Sequence, residues 1–162
     1  RHEEALRLTS EILSENPQAL ELWDAQAHLC VISGDLDGAV RAYQAQEARL
    51  GPGPGPSARE LTEAVEEEGV TGYWRWRLAR LDAQASDGIP VSHVDRAAAL
   101  TSLGRTAEAM DALAEARAAR DPRLVTLRND PTWDPLRPLP RFQRFVAELR
   151  TDLRRPPPPP RG

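Results

Sequence analysis

Residues 20–50 read LELWDAQAHLCVISGDLDGAVRAYQAQEARL, and this stretch decides the fold. Two helix-length segments flank a Gly-Asp turn, and five residues stand at intervals of four, seven, five and four: Trp23, Ala27, Gly34, Ala39 and Tyr43. The same intervals recur 70 residues later at His93, Ala97, Gly104, Ala109 and Leu113. Spacings of three and four place residues on one helix face, so both stretches are predicted to form helical hairpins with small residues where the helices cross. An all-α repeat protein is therefore expected.

The hairpin pattern resembles a tetratricopeptide repeat. An offset of 70 residues is close to twice the ~34-residue period of that family, and Ala5 lies 34 residues before Ala39. The segment from Leu20 to Leu50 is similar to one whole repeat, whereas residues 57–86 offer two helices with a degenerate pattern. The resemblance implies a tetratricopeptide-like α-solenoid whose concave surface is lined mainly by the first helix of each pair.

The last third of the chain carries a second resemblance, to the closing segment of certain bacterial regulatory proteins. The residues that carry it are Val91-Ser92-His93-Val94-Asp95, Leu103-Gly104, Ala109, Arg120-Asp121-Pro122-Arg123-Leu124, Asp130-Pro131-Thr132-Trp133-Asp134-Pro135-Leu136-Arg137 and Pro140-Arg141-Phe142. In those proteins a tetratricopeptide region follows a winged-helix DNA-binding domain, a serine/threonine kinase domain or a nucleotide cyclase domain. The resemblance implies a bacterial signalling or regulatory protein whose output domain lies elsewhere.

Helix-breaking residues divide the chain into segments of about 10–17 residues. Breaks are predicted at Asn16-Pro17, Gly34-Asp35, Gly51–Pro56, Gly69, Gly72, Asp87–Pro90, Gly104 and Asp121-Pro122. Ser57 and Glu60 form a capping box at the start of a helix that runs to about Glu68. We expect one domain over residues 1–153, with about seven or eight helices closed by a helix around Phe142 to Arg154. Residues 154–162 are expected to be a disordered proline-rich tail, or else a ligand for an aromatic-lined groove.

Charge is distributed unevenly along the 162 residues, whose formal net charge is −4. Residues 1–69 carry 14 acidic and 5 basic side chains, and residues 70–162 carry 11 and 16. A single cysteine, Cys30, excludes an internal disulfide and suits a reducing cytoplasm. No apolar stretch approaches the ~18–20 residues that span a bilayer, so a cytoplasmic protein without membrane contact is expected. Because the chain begins at Arg1 without a methionine, we expect it to be part of a longer polypeptide.

The sequence indicates no catalytic, cofactor or metal site. His2, His28 and His93 are far apart and no pair has the spacing of a metal site on one helix. The Gly51–Pro56 run lacks the lysine and the preceding strand of a phosphate-binding loop, which indicates a linker. No serine stands in a strand-turn-helix elbow, so a nucleophilic triad has no support. The chain is therefore not expected to be an enzyme.

Candidate partner-binding residues lie on helices that are expected to lead their repeats. In the first complete repeat they are Glu21, Asp24, His28, Val31 and Ile32, and in the next they are Glu60, Glu63 and Glu67. Carboxylates attract basic groups, and Val31 and Ile32 are predicted to anchor an apolar side chain. A basic or mixed basic-apolar peptide is the expected ligand.

The run Tyr73-Trp74-Arg75-Trp76-Arg77 has two interpretations. Trp74 and Trp76 point to nearly opposite sides of a helix, which predicts that they do not share one core. In the first interpretation Trp74 is buried, Trp76 covers a neighbouring helix, and Arg75 and Arg77 pair with the acidic first half. In the second, exposed Trp76 and Arg77 form a partner-binding hot spot. A nucleic-acid site is not favoured, because the surrounding sequence is not strongly basic.

These observations favour a scaffold that recruits a protein or peptide, or that holds another domain of its own chain. The alternative is an intramolecular regulatory or sensor domain of a transcriptional regulator or serine/threonine kinase. Neither function involves nucleic-acid binding by this part of the chain.

Overall fold

The computed structural model describes the backbone of residues 2–154 and the side chains of residues 4–19 and 22–149. Over that range every regular element is helical, with eight α-helices and two 3₁₀ helices, so the predicted all-α class is confirmed. The chain forms two compact units, an N-terminal unit that ends at Val91 and a C-terminal unit that begins at Ser92. The predicted proline-rich tail lies outside the described residues from position 155 onward.

The N-terminal unit contains five helices: α1 (His2–Glu15), α2 (Leu20–Ile32), α3 (Leu36–Leu50), α4 (Ala58–Glu68) and α5 (Val70–Ser86). Its most extensive backbone packing joins helices that are consecutive in the chain, α1 with α2, α2 with α3, α3 with α4 and α4 with α5. The predicted breaks after α1, α2, α3, α4 and α5 are therefore confirmed.

The C-terminal unit begins with α6 (His93–Ser102) and α7 (Thr106–Ala118), which pack against each other. Two 3₁₀ helices follow, Pro122–Arg128 and Pro131–Trp133, and the second packs on α6. The last helix, α8 (Pro140–Arg154), packs on α7, which confirms the helix predicted near the end of the chain.

Short polar side chains cap the starts of α3, α4 and α6, and the capping box predicted for α4 is confirmed. The Ser57 hydroxyl accepts a hydrogen bond from the Glu60 amide, and the Glu60 carboxylate accepts one from the Ser57 amide at 2.7 Å. Asp35 caps α3 in a similar way by accepting from the Gly38 amide at 2.7 Å. Ser92 caps α6. Each such cap contributes about 1 kcal/mol to stability.

The two predicted hairpins, α2–α3 and α6–α7, turn through the same backbone geometry. After α2 the Asp35 amide donates to the Cys30 carbonyl at 2.8 Å while Gly34 adopts a φ of 83°, and Gly104 repeats this arrangement after α6 with a φ of 73°. Such a left-handed residue is the usual end of a helix and favours glycine. Helix α7 ends in the same motif, but there Arg120 takes the left-handed position with a φ of 55°.

Small residues occupy the most buried positions of both hairpins. Ala27 and Ala39 of α2–α3, and Ala97 and Ala109 of α6–α7, are all 0% exposed. An alanine at a contact lets two helix backbones come closer together than larger side chains would. The intervals in the sequence therefore mark residues that are buried where helices pack, and these predicted core positions are confirmed.

Gly72 was predicted to stop a helix, and this prediction is wrong. Helix α5 runs through it, and a Cβ atom built at this position would lie 1.9 Å from the carbonyl oxygen of Ala64 in α4. The residue is glycine because α4 and α5 touch backbone to backbone here, which no other residue permits. The actual break is Gly69, the single residue between the two helices.

Several residues of the closing segment that carries the second resemblance stabilise local structure near the end of the chain. Asp121 and Asp130 cap the two 3₁₀ helices by accepting hydrogen bonds from backbone amides. The Arg137 guanidinium donates to the carbonyl oxygens of Leu127 and Asp130, and so joins the two 3₁₀ segments. Trp133, at 1% exposure, fills the core beside them.

Candidate interaction surfaces

The carboxylate of Asp24, on α2, lies among buried side chains of α3 and α5. Its Oδ1 accepts a hydrogen bond from the Tyr43 hydroxyl at 3.0 Å, and its Oδ2 pairs with the Arg77 guanidinium at 3.0 Å. Burial raises the pKa of Tyr43 well above its ordinary value, although nearby Arg77 opposes the shift. The hydroxyl therefore stays protonated and donates to Asp24. This side chain, predicted to face a partner, instead joins three helices of its own unit.

Trp74 and Trp76 are both buried, at 6% and 4% exposure, and they contact different neighbours of α5. The Trp76 indole donates to the Ser57 carbonyl at 2.8 Å and meets the Tyr43 ring with 4.7 Å between centroids. The Trp74 ring meets the edge of His28, on α2, at 6.0 Å. Trp74 is therefore buried and Trp76 covers a neighbouring helix, as the first interpretation of this run expects.

Trp76 and Arg77 are only 4% and 5% exposed. They therefore lack the exposure that a partner-binding hot spot requires. Their environment includes Arg80, which the sequence analysis did not single out. Arg80 is 6% exposed, donates to the Pro56 carbonyl at 3.1 Å and to the Gln46 side chain at 3.3 Å, and stacks over Trp76. Its position four residues after Trp76 is the signal that could have placed it on the same side of α5.

Three predicted carboxylates remain on the surface. Glu60, Glu63 and Glu67 are exposed and lie on one side of α4, because their spacings of three and four residues match the helix period. The hydrogen bond from the Ser57 amide lowers the pKa of Glu60. Glu63 pairs with exposed Arg59 at 3.0 Å. We call these three glutamates the acidic stripe of α4.

A groove of about 640 Å³ lies between α3 and α4, beside the acidic stripe, and Glu63 forms part of its lining. The two helices are joined across it by polar contacts. The Gln44 amide donates to the Thr62 hydroxyl at 3.2 Å, and the Glu47 carboxylate accepts from the Ala58 amide at 2.9 Å. The groove lining therefore combines polar side chains with the small apolar side chains of Ala48 and Ala58.

The other predicted residues on α2 whose side chains are described are buried or half-buried. Val31 is buried at 9% exposure, so it is a core residue and not an exposed anchor. Ile32 is half-buried, and His28 is half-buried against Trp74. The side chain of Glu21 lies outside the described residues.

Among the described side chains, no group of three His, Cys, Asp or Glu residues could hold a metal ion. None of the described helices is long and apolar enough to cross a membrane. Comparisons with protein-family models, with curated proteins and with solved structures find no match to this chain.

Proposed function

We propose that this chain is a tetratricopeptide-type interaction module that recruits a protein partner through a basic or mixed basic-apolar segment. The observation that carries the proposal is the repetition of one hairpin design. Helices α2–α3 and α6–α7 share the fully buried alanines, the left-handed glycine and the backbone hydrogen bonds of the turn, at identical intervals. Repeated helix pairs of this kind build extended binding surfaces.

The acidic stripe of α4 is the surface that best fits this partner. Glu63 and Glu67 are exposed, and neither is part of the buried core. The neighbouring α3–α4 groove gives an extended segment a place to lie, and Glu47 adds a further carboxylate to its lining. Exposed ion pairs contribute only about 0.2–1 kcal/mol each, so the glutamates chiefly speed the encounter and select for basic partners.

Asp24 and His28 are not part of the proposed surface. Asp24 already has the Arg77 guanidinium, and His28 lies against Trp74. A partner that bound them would first have to displace α5 side chains that are almost fully buried.

The proposal is tested with peptides displayed as a random library and selected on the chain. Selected peptides are expected to be rich in arginine, lysine and leucine, and their affinity is expected to fall as salt rises. A Glu63→Arg/Glu67→Arg double variant is expected to weaken the best peptide by on the order of tenfold. Glu60 is left unchanged because it caps α4.

The matched control is Glu15→Arg, a charge reversal at an exposed position of α1 in the same unit. It is expected to change the affinity little, and the circular dichroism of all variants is expected to match that of the unmodified chain. Selection of no basic peptide, or equal weakening by the control and by the double variant, would refute the proposal.

A further inference from the structure

The C-terminal unit has a second groove, between α7 and α8, of about 430 Å³. It is lined by Met110, Ala114, Arg141, Arg144, Phe145 and Glu148. Met110 and Phe145 are core residues, at 3% and 9% exposure, and only their edges reach the floor of the groove. The remaining side chains of the groove are small or charged, so it combines an apolar part with a polar edge.

Two ion pairs between the helices frame this groove. Arg141 of α8 pairs with Asp111 of α7 at 2.7 Å, and Glu148 of α8 pairs with Arg117 of α7. The pairs advance along both helices together, by six residues on α7 and seven on α8, so the two helices run in the same direction. At 1.5 Å per residue the framed opening is roughly 9–10 Å long.

Ala114 lies midway between Asp111 and Arg117 in the sequence of α7 and is exposed. Because this side chain is a single methyl group, the space between the two ion pairs stays open. Arg144 lies near the middle of the same interval on α8, is exposed, and has no ion-pair partner among the side chains that the structure describes. The framed groove therefore offers apolar lining beside an available cation.

The charge of the groove has the sign of this cation. Residues 92–149, whose side chains the structure describes, contain 9 basic and 8 acidic side chains, a net charge of +1. The two framing ion pairs are each neutral overall, so Arg144 carries the uncompensated charge of the groove and attracts acidic groups, particularly at low salt. The charge preference is thus opposite to that of the acidic stripe.

We propose that the α7–α8 groove binds an acidic-apolar segment of a partner protein. An apolar side chain of that segment packs on exposed Ala114, above the buried Met110 and Phe145, and a neighbouring carboxylate pairs with exposed Arg144. An opening of this length accommodates about three residues of extended chain. The site goes beyond the function proposed above, because it lies in the other unit and selects the opposite charge.

The test uses the whole chain and a short fluorescein-labelled peptide in which leucine is flanked by glutamates. A counterpart with lysines in place of the glutamates serves as the control peptide. Fluorescence anisotropy is expected to show binding of the acidic peptide that weakens with salt, and much weaker binding of the lysine peptide.

Two variants probe the two halves of the proposed contact. Ala114→Leu fills the groove and is expected to reduce affinity by on the order of tenfold or more. Arg144→Glu replaces an attraction by a repulsion and is expected to weaken binding by about fivefold or more. Both positions are exposed on helices where the new residue is a good helix former, so thermal unfolding is expected to change little.

Matched controls are Ala107→Leu, at another exposed alanine of α7, and Arg128→Glu, at an exposed arginine of the first 3₁₀ helix. Both are expected to retain binding. The proposal is overturned if the lysine peptide binds as well as the acidic one, or if each control weakens binding as much as its matched variant. The Glu63→Arg/Glu67→Arg double variant changes the other unit. Its effect on binding of the basic peptide is therefore measured independently of this test.

Discussion

Substitution of Gly72 by alanine tests how closely α4 and α5 approach each other. In the interior of a helix, alanine is normally more stable than glycine by about 1 kcal/mol. Here the new Cβ would lie 1.9 Å from the Ala64 carbonyl oxygen and 2.5 Å from its carbon, so the helices would have to move apart. Overpacking a core costs about 1–3 kcal/mol, and a backbone atom cannot rotate away as a side chain does. We expect Gly72→Ala to lower the free energy of unfolding by on the order of 2 kcal/mol.

The measurement is urea unfolding followed by circular dichroism and by tryptophan fluorescence. Fluorescence is informative because three of the four tryptophans, Trp23, Trp74 and Trp76, lie in the N-terminal unit. Thr71→Ala, at the adjacent exposed position, is the control and is expected to change stability by less than about 0.5 kcal/mol. A Gly72→Ala variant as stable as the unmodified chain would refute the close approach.

Three further predictions concern stability and accessibility. Arg120→Gly is expected to raise the free energy of unfolding by about 1 kcal/mol in urea, because it removes a side chain from a left-handed position. Ala27→Trp and Ala39→Trp are each expected to lower it by about 1–3 kcal/mol or more, and an unchanged melting temperature for both would argue against a helix crossing there. Burial, followed by the nearby Asp35 carboxylate, raises the pKa of Cys30, so the thiol is expected to react with a disulfide reagent only as the chain unfolds.

The hairpins could be predicted from the sequence because their determinants are local. Ala27 and Ala39 are separated by only 12 positions, and Gly34 between them fixes how the chain turns. The same holds for the capping box of α4, which depends on Ser57 and Glu60 alone. Patterns of this kind report backbone geometry that neighbouring residues determine directly.

The surroundings of α5 could not be predicted in this way, because they depend on contacts between residues that are distant in the sequence. In the sequence, a glycine at position 72 is compatible both with the end of a helix and with a close contact between two helices. Asp24 looks like an exposed carboxylate until its partner Arg77, far along the chain, is brought beside it.

The N-terminal unit presents a net negative charge to a partner. Residues 1–91 contain 16 acidic and 8 basic side chains, a net charge of −8. The buried pair of Arg77 and Asp24 is neutral overall, so it leaves this excess of carboxylates unchanged. Residues 92–162 have the opposite net charge, and Arg144 stays exposed. A partner that used both the acidic stripe and the α7–α8 groove would therefore need separate basic and acidic segments, and increasing salt would weaken its binding at each.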